Sequence, residues 1–182
     1  MHLLCDENLW GGRILLAGFG ELEFLPGRSI GPEAVARADA LLLRSRTRID
    51  AALLGAARPR FVGTATAGTE HVDRAFLERV GIPFASAPGC NAEPVADWVM
   101  GVVADAARRG ALRLPGARCV VVGCGEVGGR VARRLAALGC EIRCVDPPRC
   151  RRGLPLPGPE AVLGDVLDAD LLTFHVPLTE TG

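Results

Sequence analysis

The segment that decides the fold of this 182-residue chain is residues 118–128, which read RCVVVGCGEVG. Its first half, Cys119–Val122, is continuously apolar, as buried strands of parallel sheets are. A glycine-rich turn, Gly123-Cys124-Gly125-Glu126-Val127-Gly128, follows at once. Beyond the turn, apolar residues recur at helical spacing from about Val127 to Leu138, before Gly139. The segment therefore predicts a strand, a tight turn and a helix.

Each glycine of the turn has a predicted task in holding a dinucleotide. Gly123 permits the tight turn, and Gly125 lets the backbone approach a pyrophosphate where a side chain would collide. Gly128 lets the helix pack close to the strand. Glu126 and Val127 begin the helix, whose N-terminus offers free N–H groups and a positive dipole end to phosphates. A glycine-rich turn that binds no ligand is the alternative.

Asp146 supplies the acidic residue that such a site requires at the end of the next strand, Glu141–Val145. It lies 21 residues after Gly125, where a carboxylate can accept hydrogen bonds from the adenine-ribose hydroxyls. A carboxylate repels a 2′-phosphate, so the sequence favours NAD over NADP. Arg149, Arg151 and Arg152 leave NADP open, because one of them could neutralise that phosphate.

An α/β region precedes this unit. The predicted strands are Leu3–Cys5, Ala40–Leu43, Arg60–Gly63 and Pro83–Ala85, and helices are predicted at Ala51–Ala57 and Glu70–Val80. Such alternation predicts parallel sheets. A long helix follows Asn91, with an apolar face formed by Val95, Trp98, Val99, Val102, Val103 and Ala106. We predict a substrate domain over residues 1–110 that includes this helix, and a dinucleotide-binding domain over 111–182. The last predicted strand is Ala169–Phe174, and residues 147–160 are expected to be a surface excursion.

Composition excludes several classes of protein. The 21 basic and 21 acidic residues cancel, which argues against nucleic acid or an anionic membrane as partner. All basic residues are Arg, and Tyr is absent, so Lys-based and Tyr-based chemistry is excluded within the chain. The seven Cys include no C-x-x-C pair, so we expect buried free thiols, no metal site and a cytoplasmic location. No apolar run is long enough to span a membrane.

These features and several further segments make the chain resemble the D-2-hydroxyacid dehydrogenases. The segments include 6–8, 26–28 and 38–45 near the N-terminus, FVGTATAGTEHVD at 61–73, APGCNA at 87–92, DPPR at 146–149 and LTFHVPL at 172–178. The resemblance implies a flavodoxin-like substrate domain followed by the first half of a Rossmann domain. It also implies a homodimer and a small phosphorylated hydroxy acid as substrate. The resemblance implies oxidation of the 2-hydroxyl of 4-phosphoerythronate to the 2-oxo acid with NAD, as a step in pyridoxal phosphate synthesis.

The resemblance also assigns residues. Ser45 and Thr66 are expected to contact substrate as hydroxyl donors, or else to be plain turn residues. Backbone N–H groups of residues 67–69 could hold the substrate carboxylate. Arg44 is a candidate anion partner, with a surface or interdomain ion pair as the alternative. His175 and Val176 belong to the family's cofactor-side His-x-Pro-Leu segment.

No catalytic residue is predicted in this chain. The family's chemistry needs an Arg for the substrate carboxylate and a His paired with an acid, and these follow the last strand of this chain. His71 is expected to be a structural residue that opens a helix. The chain is therefore expected to be a truncated, inactive and poorly stable part of a longer enzyme. An NAD-sensing module of the same fold, or a dehydrogenase for another 2-hydroxy acid, are the alternatives.

Overall fold

The computed structural model describes residues 1–177, apart from the side chains of residues 163 and 165. Leu178 of the His-x-Pro-Leu segment lies outside the described residues. The chain forms two compact units that divide between Pro88 and Gly89.

The first unit contains a parallel five-stranded sheet in the order β2-β1-β3-β4-β5. Strand order 2-1-3-4-5 is that of flavodoxin-like sheets, so the predicted class is confirmed. Four short helices accompany the sheet: α1 Gly12–Leu15, α2 Pro32–Val35, α3 Ala51–Leu54 and α4 Arg74–Arg79. The strands are β1 His2–Asp6, β2 Glu21–Leu25, β3 Ala40–Leu43, β4 Phe61–Thr64 and β5 Phe84–Ala85.

Strand alternation distributes the apolar side chains of this sheet between two layers. Leu4 and Leu41 lie in the larger core, together with Val35 and Val62. Leu3 and Cys5 point to the opposite face and pack in a smaller cluster with Ala40. Both faces of the interior strand β1 are therefore covered.

The structure differs from the sequence prediction at several places in this unit. Helices α1 and α2 were not predicted, and α3 ends at Leu54, before the predicted Ala57. Strand β2 was not predicted; it alternates acidic and apolar residues at the sheet edge, where it pairs with β1. The predicted helix Glu70–Val80 begins later, at Arg74, because the Asp73 carboxylate caps it by accepting a hydrogen bond from the Phe76 N–H (2.8 Å). His71 therefore lies in the preceding loop and does not open a helix.

The second unit contains a parallel three-stranded sheet in the order β7-β6-β8. Its strands are β6 Arg118–Val122, β7 Glu141–Val145 and β8 Leu171–Phe174. The helices are α5 Ala92–Arg108, α6 Glu126–Ala137 and α7 Pro147–Arg151. The chain moves from β6 to β7 on one side and returns to β8 on the other. The carboxyl ends of β6 and β8 thus form a topological switch point, where open α/β sheets bind ligands.

Helix α5 packs in the second unit, whereas the sequence prediction placed it in the first domain with a boundary near 110. Its Ala96 and Val103 are buried in a core shared with Val131 and Leu135 of α6. The predicted apolar face is only partly buried: Val99 and Ala106 pack against this core, but Trp98 and Val102 are exposed. The segment after β7 also contains helix α7, which was not predicted; its first turn is formed by Pro147 and Pro148.

Candidate functional site

The glycine-rich turn connects β6 to α6 at the switch point of the second sheet. Gly123 has a φ of +83°, a left-handed conformation that favours glycine. A Cβ on Gly123 would lie 2.5 Å from the His175 carbonyl oxygen and 2.7 Å from Cγ1 of Val176. A Cβ on Gly128 would collide with the Gly123 carbonyl oxygen. These two glycines therefore let the turn, helix α6 and the segment after β8 approach one another closely.

Gly125 differs from its two neighbours in the motif. It precedes helix α6, and a Cβ placed on it would meet no atom within 4 Å. Internal packing therefore gives no reason for a glycine here, whereas a pyrophosphate seated on the turn does. The turn leads into a 12-residue helix, whose first N–H groups point toward the same place. The geometry fits a dinucleotide phosphate.

Asp146 lies at the end of β7 and contacts the same turn. Its Oδ2 accepts a hydrogen bond from the Cys124 N–H (2.8 Å), and its Oδ1 accepts one from the Arg149 N–H (3.0 Å), which caps α7. A carboxylate has about four acceptor positions, so capacity remains for a ribose diol. The side chain is half-buried and held in place at both oxygens.

Arginines surround a cavity of about 240 Å³ beside the turn. Cys124, Gly125 and Glu126 form one wall, and Arg130, Arg133 and Arg149 contribute cations. The Arg149 Nε–H is engaged with the Pro155 carbonyl oxygen (2.8 Å). Arg151 and Arg152, the other arginines considered for a 2′-phosphate, are exposed and do not line this cavity.

The Glu126 carboxylate lies in an ion-pair network at the start of α6. The Arg130 Nη1–H donates to Glu126 Oε2 (2.7 Å) and to its carbonyl oxygen (2.7 Å), while Arg130 Nε–H donates to Glu93 Oε1 (2.5 Å). Glu93 also accepts from Arg134 (2.6 Å). The Arg130 hydrogen bond lowers the pKa of Glu93. The Arg130 guanidinium thus balances the Glu126 carboxylate beside the glycine-rich turn. Sequence reasoning did not find Arg130, although the i, i+4 spacing of Glu126 and Arg130 was visible.

In the first unit, strand register brings Ser45 and Thr66 together at the carboxyl end of the sheet. Leu43 of β3 pairs with Thr64 of β4, and each predicted substrate residue follows its strand by two positions. Ser45 is exposed and Thr66 is half-buried. The predicted anion partner, Arg44, donates from Nη1 to the Asn8 carbonyl oxygen (3.3 Å), which ties the loop after β3 to the loop after β1. The structure therefore places all three residues where ligands of parallel sheets bind.

A hydroxyl network, not anticipated from the sequence, joins Thr66 to His71. Thr64 Oγ1 lies 2.8 Å from Thr66 Oγ1 and 3.0 Å from His71 Nε2. The Thr66 hydroxyl also donates to the Gly68 carbonyl oxygen (3.0 Å). Burial lowers the pKa of His71, against a smaller opposing effect of the Glu70 carboxylate.

His175 makes a similar contact in the second unit. Its Nε2 lies 3.0 Å from Thr173 Oγ1, and its backbone N–H donates to the Val122 carbonyl oxygen (2.8 Å). Burial lowers the pKa of His175 as well. Together with Val176, it lies against Gly123, the first residue of the glycine-rich turn.

Cys119, Cys124, Cys140 and Cys144 are free and buried in the second unit, and Cys5 is free and buried in the first. Cys90 is exposed and Cys150 is half-buried, so the expectation of buried thiols is wrong for these two. Among the described residues, no cluster of His, Cys, Asp and Glu is arranged to hold a metal ion. Within the same residues, no helix is long and apolar enough to cross a membrane.

Comparison with known proteins defines the class. The family described as "D-isomer specific 2-hydroxyacid dehydrogenase, catalytic domain" matches residues 14–174. The chain therefore belongs to the D-isomer specific 2-hydroxyacid dehydrogenases, as its motifs predicted.

Within this class, the chain resembles proteins named erythronate-4-phosphate dehydrogenase. It is 44% identical to the one from Klebsiella pneumoniae (strain 342) over the whole chain, and 44% identical to the one from Salinibacter ruber. The chain spans about half the length of these relatives, 48% and 47% respectively.

Solved structures agree on the fold. The TT0316 protein from Thermus thermophilus superposes with a TM-score of 0.79 at 27% identity, covering 99% of this chain and 66% of that protein. NAD⁺-bound 3-phosphoglycerate dehydrogenase from Entamoeba histolytica superposes with a TM-score of 0.76 at 23% identity, covering 99% of this chain and 64% of that one.

Proposed function

We propose that the chain is part of an NAD-dependent erythronate-4-phosphate dehydrogenase. In this proposal the glycine-rich turn of the second unit binds the cofactor's phosphates, and the loops after β3 and β4 of the first unit bind the substrate. The observation that carries the proposal is the open space at Gly125, which precedes helix α6 and follows Cys124, whose N–H donates to Asp146. The identity of 43–45% to proteins named for that activity supports the substrate. The enzyme would oxidise the 2-hydroxyl of 4-phosphoerythronate to a 2-oxo acid, on the route to pyridoxal phosphate.

The residues of the second unit would bind and orient the cofactor. The turn at Gly125 and the N-terminus of α6 would hold the pyrophosphate, and Asp146 would accept hydrogen bonds from the adenine-ribose hydroxyls. His175 and Val176 would complete the site at the end of β8. Bound NAD would supply the hydride acceptor. Because arginines beside the turn could neutralise a 2′-phosphate, NADP should be tested as the alternative cofactor to NAD.

The residues of the first unit would bind the substrate. Ser45 and Thr66 offer hydroxyls at one sheet edge, and the N–H groups of residues 67–69 would face the carboxylate. The Glu70 carboxylate lies over Gly68, so it must turn away before a substrate carboxylate can occupy that loop. Arg44 supplies a cation at the same edge.

A substrate panel tests the proposal. We would assay the complete natural polypeptide for NADH formation with 4-phosphoerythronate, glycerate and 3-phosphoglycerate at equal concentration. We expect the highest kcat/KM with 4-phosphoerythronate. A preference for another hydroxy acid would keep the dehydrogenase and reject the substrate. NAD binding without turnover of any of them would favour a sensor of the same fold.

We also propose a homodimer in the cytoplasm. Helix α5 supports it, because Trp98 is 71% exposed and Val102 is 50% exposed on one stretch of the helix. Sedimentation equilibrium of the complete polypeptide would give twice the monomer mass. A Trp98→Glu variant is expected to shift the equilibrium toward the monomer if this stretch lies in the dimer interface.

A further inference from the structure

The hydrogen-bond network of His71, Thr64 and Thr66 limits which atom can donate the proton at each contact. It contains three contacts in series: His71 Nε2 to Thr64 Oγ1 (3.0 Å), Thr64 Oγ1 to Thr66 Oγ1 (2.8 Å), and Thr66 Oγ1 to the Gly68 carbonyl oxygen (3.0 Å). Thr64 is buried, with 4% of its surface exposed. A buried hydroxyl is costly to leave without a partner. Both contacts of Thr64 should therefore contain a proton, and the network has its full set of hydrogen bonds when the contact of Thr66 with Gly68 contains one as well.

The carbonyl oxygen of Gly68 fixes the direction of the network, because it can only accept. Thr66 has one hydroxyl proton, and that proton is committed to Gly68. The contact between the two threonines must therefore use the proton of Thr64. Thr64 then has no proton left for His71, so the His71 Nε2 must carry one and donate it.

The opposite tautomer of His71 leaves one acceptor of the network without its hydrogen bond. With Nε2 unprotonated, the Thr64 proton would be drawn to His71, and the Thr66 proton would have to turn from Gly68 to the 2.8 Å contact between the two threonine oxygens. The Gly68 carbonyl oxygen would then lose its hydrogen bond from Thr66. Burial lowers the pKa of His71, so the neutral ring, with a single N–H, is the relevant form near neutral pH. The Glu70 carboxylate is the neighbouring charge that acts on this ring.

We propose that His71 is a positioning residue that makes Thr66 a hydrogen-bond acceptor toward the substrate. A hydroxyl oxygen has two lone pairs. On Thr66, one lone pair accepts the hydrogen bond from Thr64, and the other is available to a donor on the substrate. This reverses the role predicted from the sequence, in which Thr66 donates. The site would then select substrates that carry a hydroxyl in addition to the one that is oxidised. The inference rests on the proposed function, which places Thr66 in the substrate site.

Two substitutions at His71 separate hydrogen bonding from packing. A Gln side chain can place an amide N–H near the former Nε2, whereas the shorter Asn side chain cannot reach Thr64. In the complete polypeptide, we expect His71→Asn to raise KM for 4-phosphoerythronate about tenfold, the effect of losing one good hydrogen bond. His71→Gln should retain a KM close to that of the wild type. The matched control is His2→Asn, on β1, which should leave KM unchanged.

A substrate analogue tests the acceptor role. The analogue is 4-phosphoerythronate with hydrogen in place of the 3-hydroxyl, which leaves the reacting 2-hydroxyl intact. His71→Asn should raise KM for the natural substrate but not for this analogue, and KM for NAD should not change. In a Thr64→Val background the effect of His71→Asn should disappear, because the histidine acts through Thr64.

Imidazole ¹⁵N shifts give a readout that needs no turnover. We expect the Nε2–H tautomer of His71; an Nδ1–H tautomer overturns the inference. Equal effects of His71→Asn on substrate and analogue also overturn it, as does a KM for His71→Gln as high as that for His71→Asn. If the wild type oxidises no hydroxy acid, the proposed function fails, and with it the substrate role of Thr66. The tautomer then still decides the direction of the network.

Discussion

The Asp146 carboxylate is bound to the turn that it would assist: its Oδ2 accepts a 2.8 Å hydrogen bond from the Cys124 N–H. The second oxygen accepts from the Arg149 N–H and caps helix α7. The Asp146 side chain thus holds together the end of β7, the glycine-rich turn and the start of α7. Asp146 therefore has a structural role beside the proposed role in binding the ribose, and the two roles lead to different predictions.

Replacing Asp146 with Ala should weaken NAD binding and narrow the preference for NAD over NADP. Loss of charge-assisted hydrogen bonds to the ribose should cost about tenfold or more in affinity for NAD. NADP should lose less, because the variant no longer repels the 2′-phosphate. Titration with each cofactor gives the two dissociation constants, and an unchanged ratio would contradict the ribose assignment.

Asp170 offers a matched control for the structural part of this effect. Its Oδ2 accepts a 2.8 Å hydrogen bond from the Arg118 N–H, at the opposite end of β6. Asp170→Ala thus removes a comparable carboxylate-to-backbone bond at the edge away from the turn. We expect it to lower the free energy of unfolding by about 1 kcal/mol and to leave the affinity for NAD unchanged.

Adding a side chain at Gly125 should impair NAD binding, whereas adding one at Gly128 should impair stability. A Cβ at Gly125 meets open space, so Gly125→Val should keep the melting temperature and weaken NAD binding by about tenfold or more. A Cβ at Gly128 collides with the Gly123 carbonyl oxygen, so Gly128→Ala should destabilise the fold by about 1–3 kcal/mol. Thermal denaturation and cofactor titration of both variants would check this. A Gly125→Val protein that binds NAD normally would remove the main support for the cofactor site.

The parts of the fold that the sequence predicted well are those in which local pattern and tertiary packing agree. Strands Ala40–Leu43 and Glu141–Val145 follow directly from their residues and have the predicted bounds. Strand β2 escaped prediction because Glu21 and Glu23 interrupt its apolar residues, and only pairing with β1 makes it a strand. The position of α5 also depends on tertiary contacts, since its sequence does not show which unit its buried face packs against.

The candidate site also contains residues that local sequence predicts and contacts that only the tertiary structure creates. The glycine-rich turn and Asp146 are local patterns with fixed spacing, so their positions could be predicted. The contacts of Thr64, Thr66 and His71 depend on how the loop after β4 folds back, and no periodicity encodes that. The network of Glu93 and Arg130 joins two helices that are far apart in sequence.

The buried face of α6 should carry much of the stability of the second unit. Leu135 is fully buried among residues of α5, β6 and β7. Leu135→Ala should therefore lower the free energy of unfolding by about 2–5 kcal/mol. Leu138, immediately after the same helix, is 47% exposed, and Leu138→Ala should cost far less. Urea denaturation of both variants gives the comparison; equal losses would contradict the packing of α6.

Two histidines should make the fold sensitive to mild acid. Burial lowers the pKa of His71 and of His175 from the ordinary value of 6.5. As pH falls below about 6.5, the unfolded chain takes up protons before the folded chain does, so the free energy of unfolding decreases. The loss is complete below the folded-state pKa values. A His71→Gln, His175→Gln double variant should show a flatter dependence over this window, and an unchanged slope would contradict the burial effect.

Arg130 should support cofactor binding by neutralising Glu126. Glu126 is the first residue of α6 and lies beside the glycine-rich turn, the proposed pyrophosphate site, where an unpaired negative charge would repel a pyrophosphate. Arg130 donates to its Oε2 at 2.7 Å. Because the ion pair is largely exposed, Arg130→Met should weaken NAD binding only about two- to fivefold. The defect should shrink at high salt, since salt screens the repulsion.

A double-mutant cycle distinguishes this charge effect from damage to the α5–α6 contact. Glu126→Gln removes the charge that Arg130 balances, so adding Arg130→Met to it should have no further effect on NAD affinity. Arg134→Met is the matched control, because Arg134 also pairs with Glu93 but does not contact Glu126. It should leave NAD affinity unchanged. A defect of Arg130→Met that persists in the Glu126→Gln background would show that Arg130 acts through packing or directly on the cofactor.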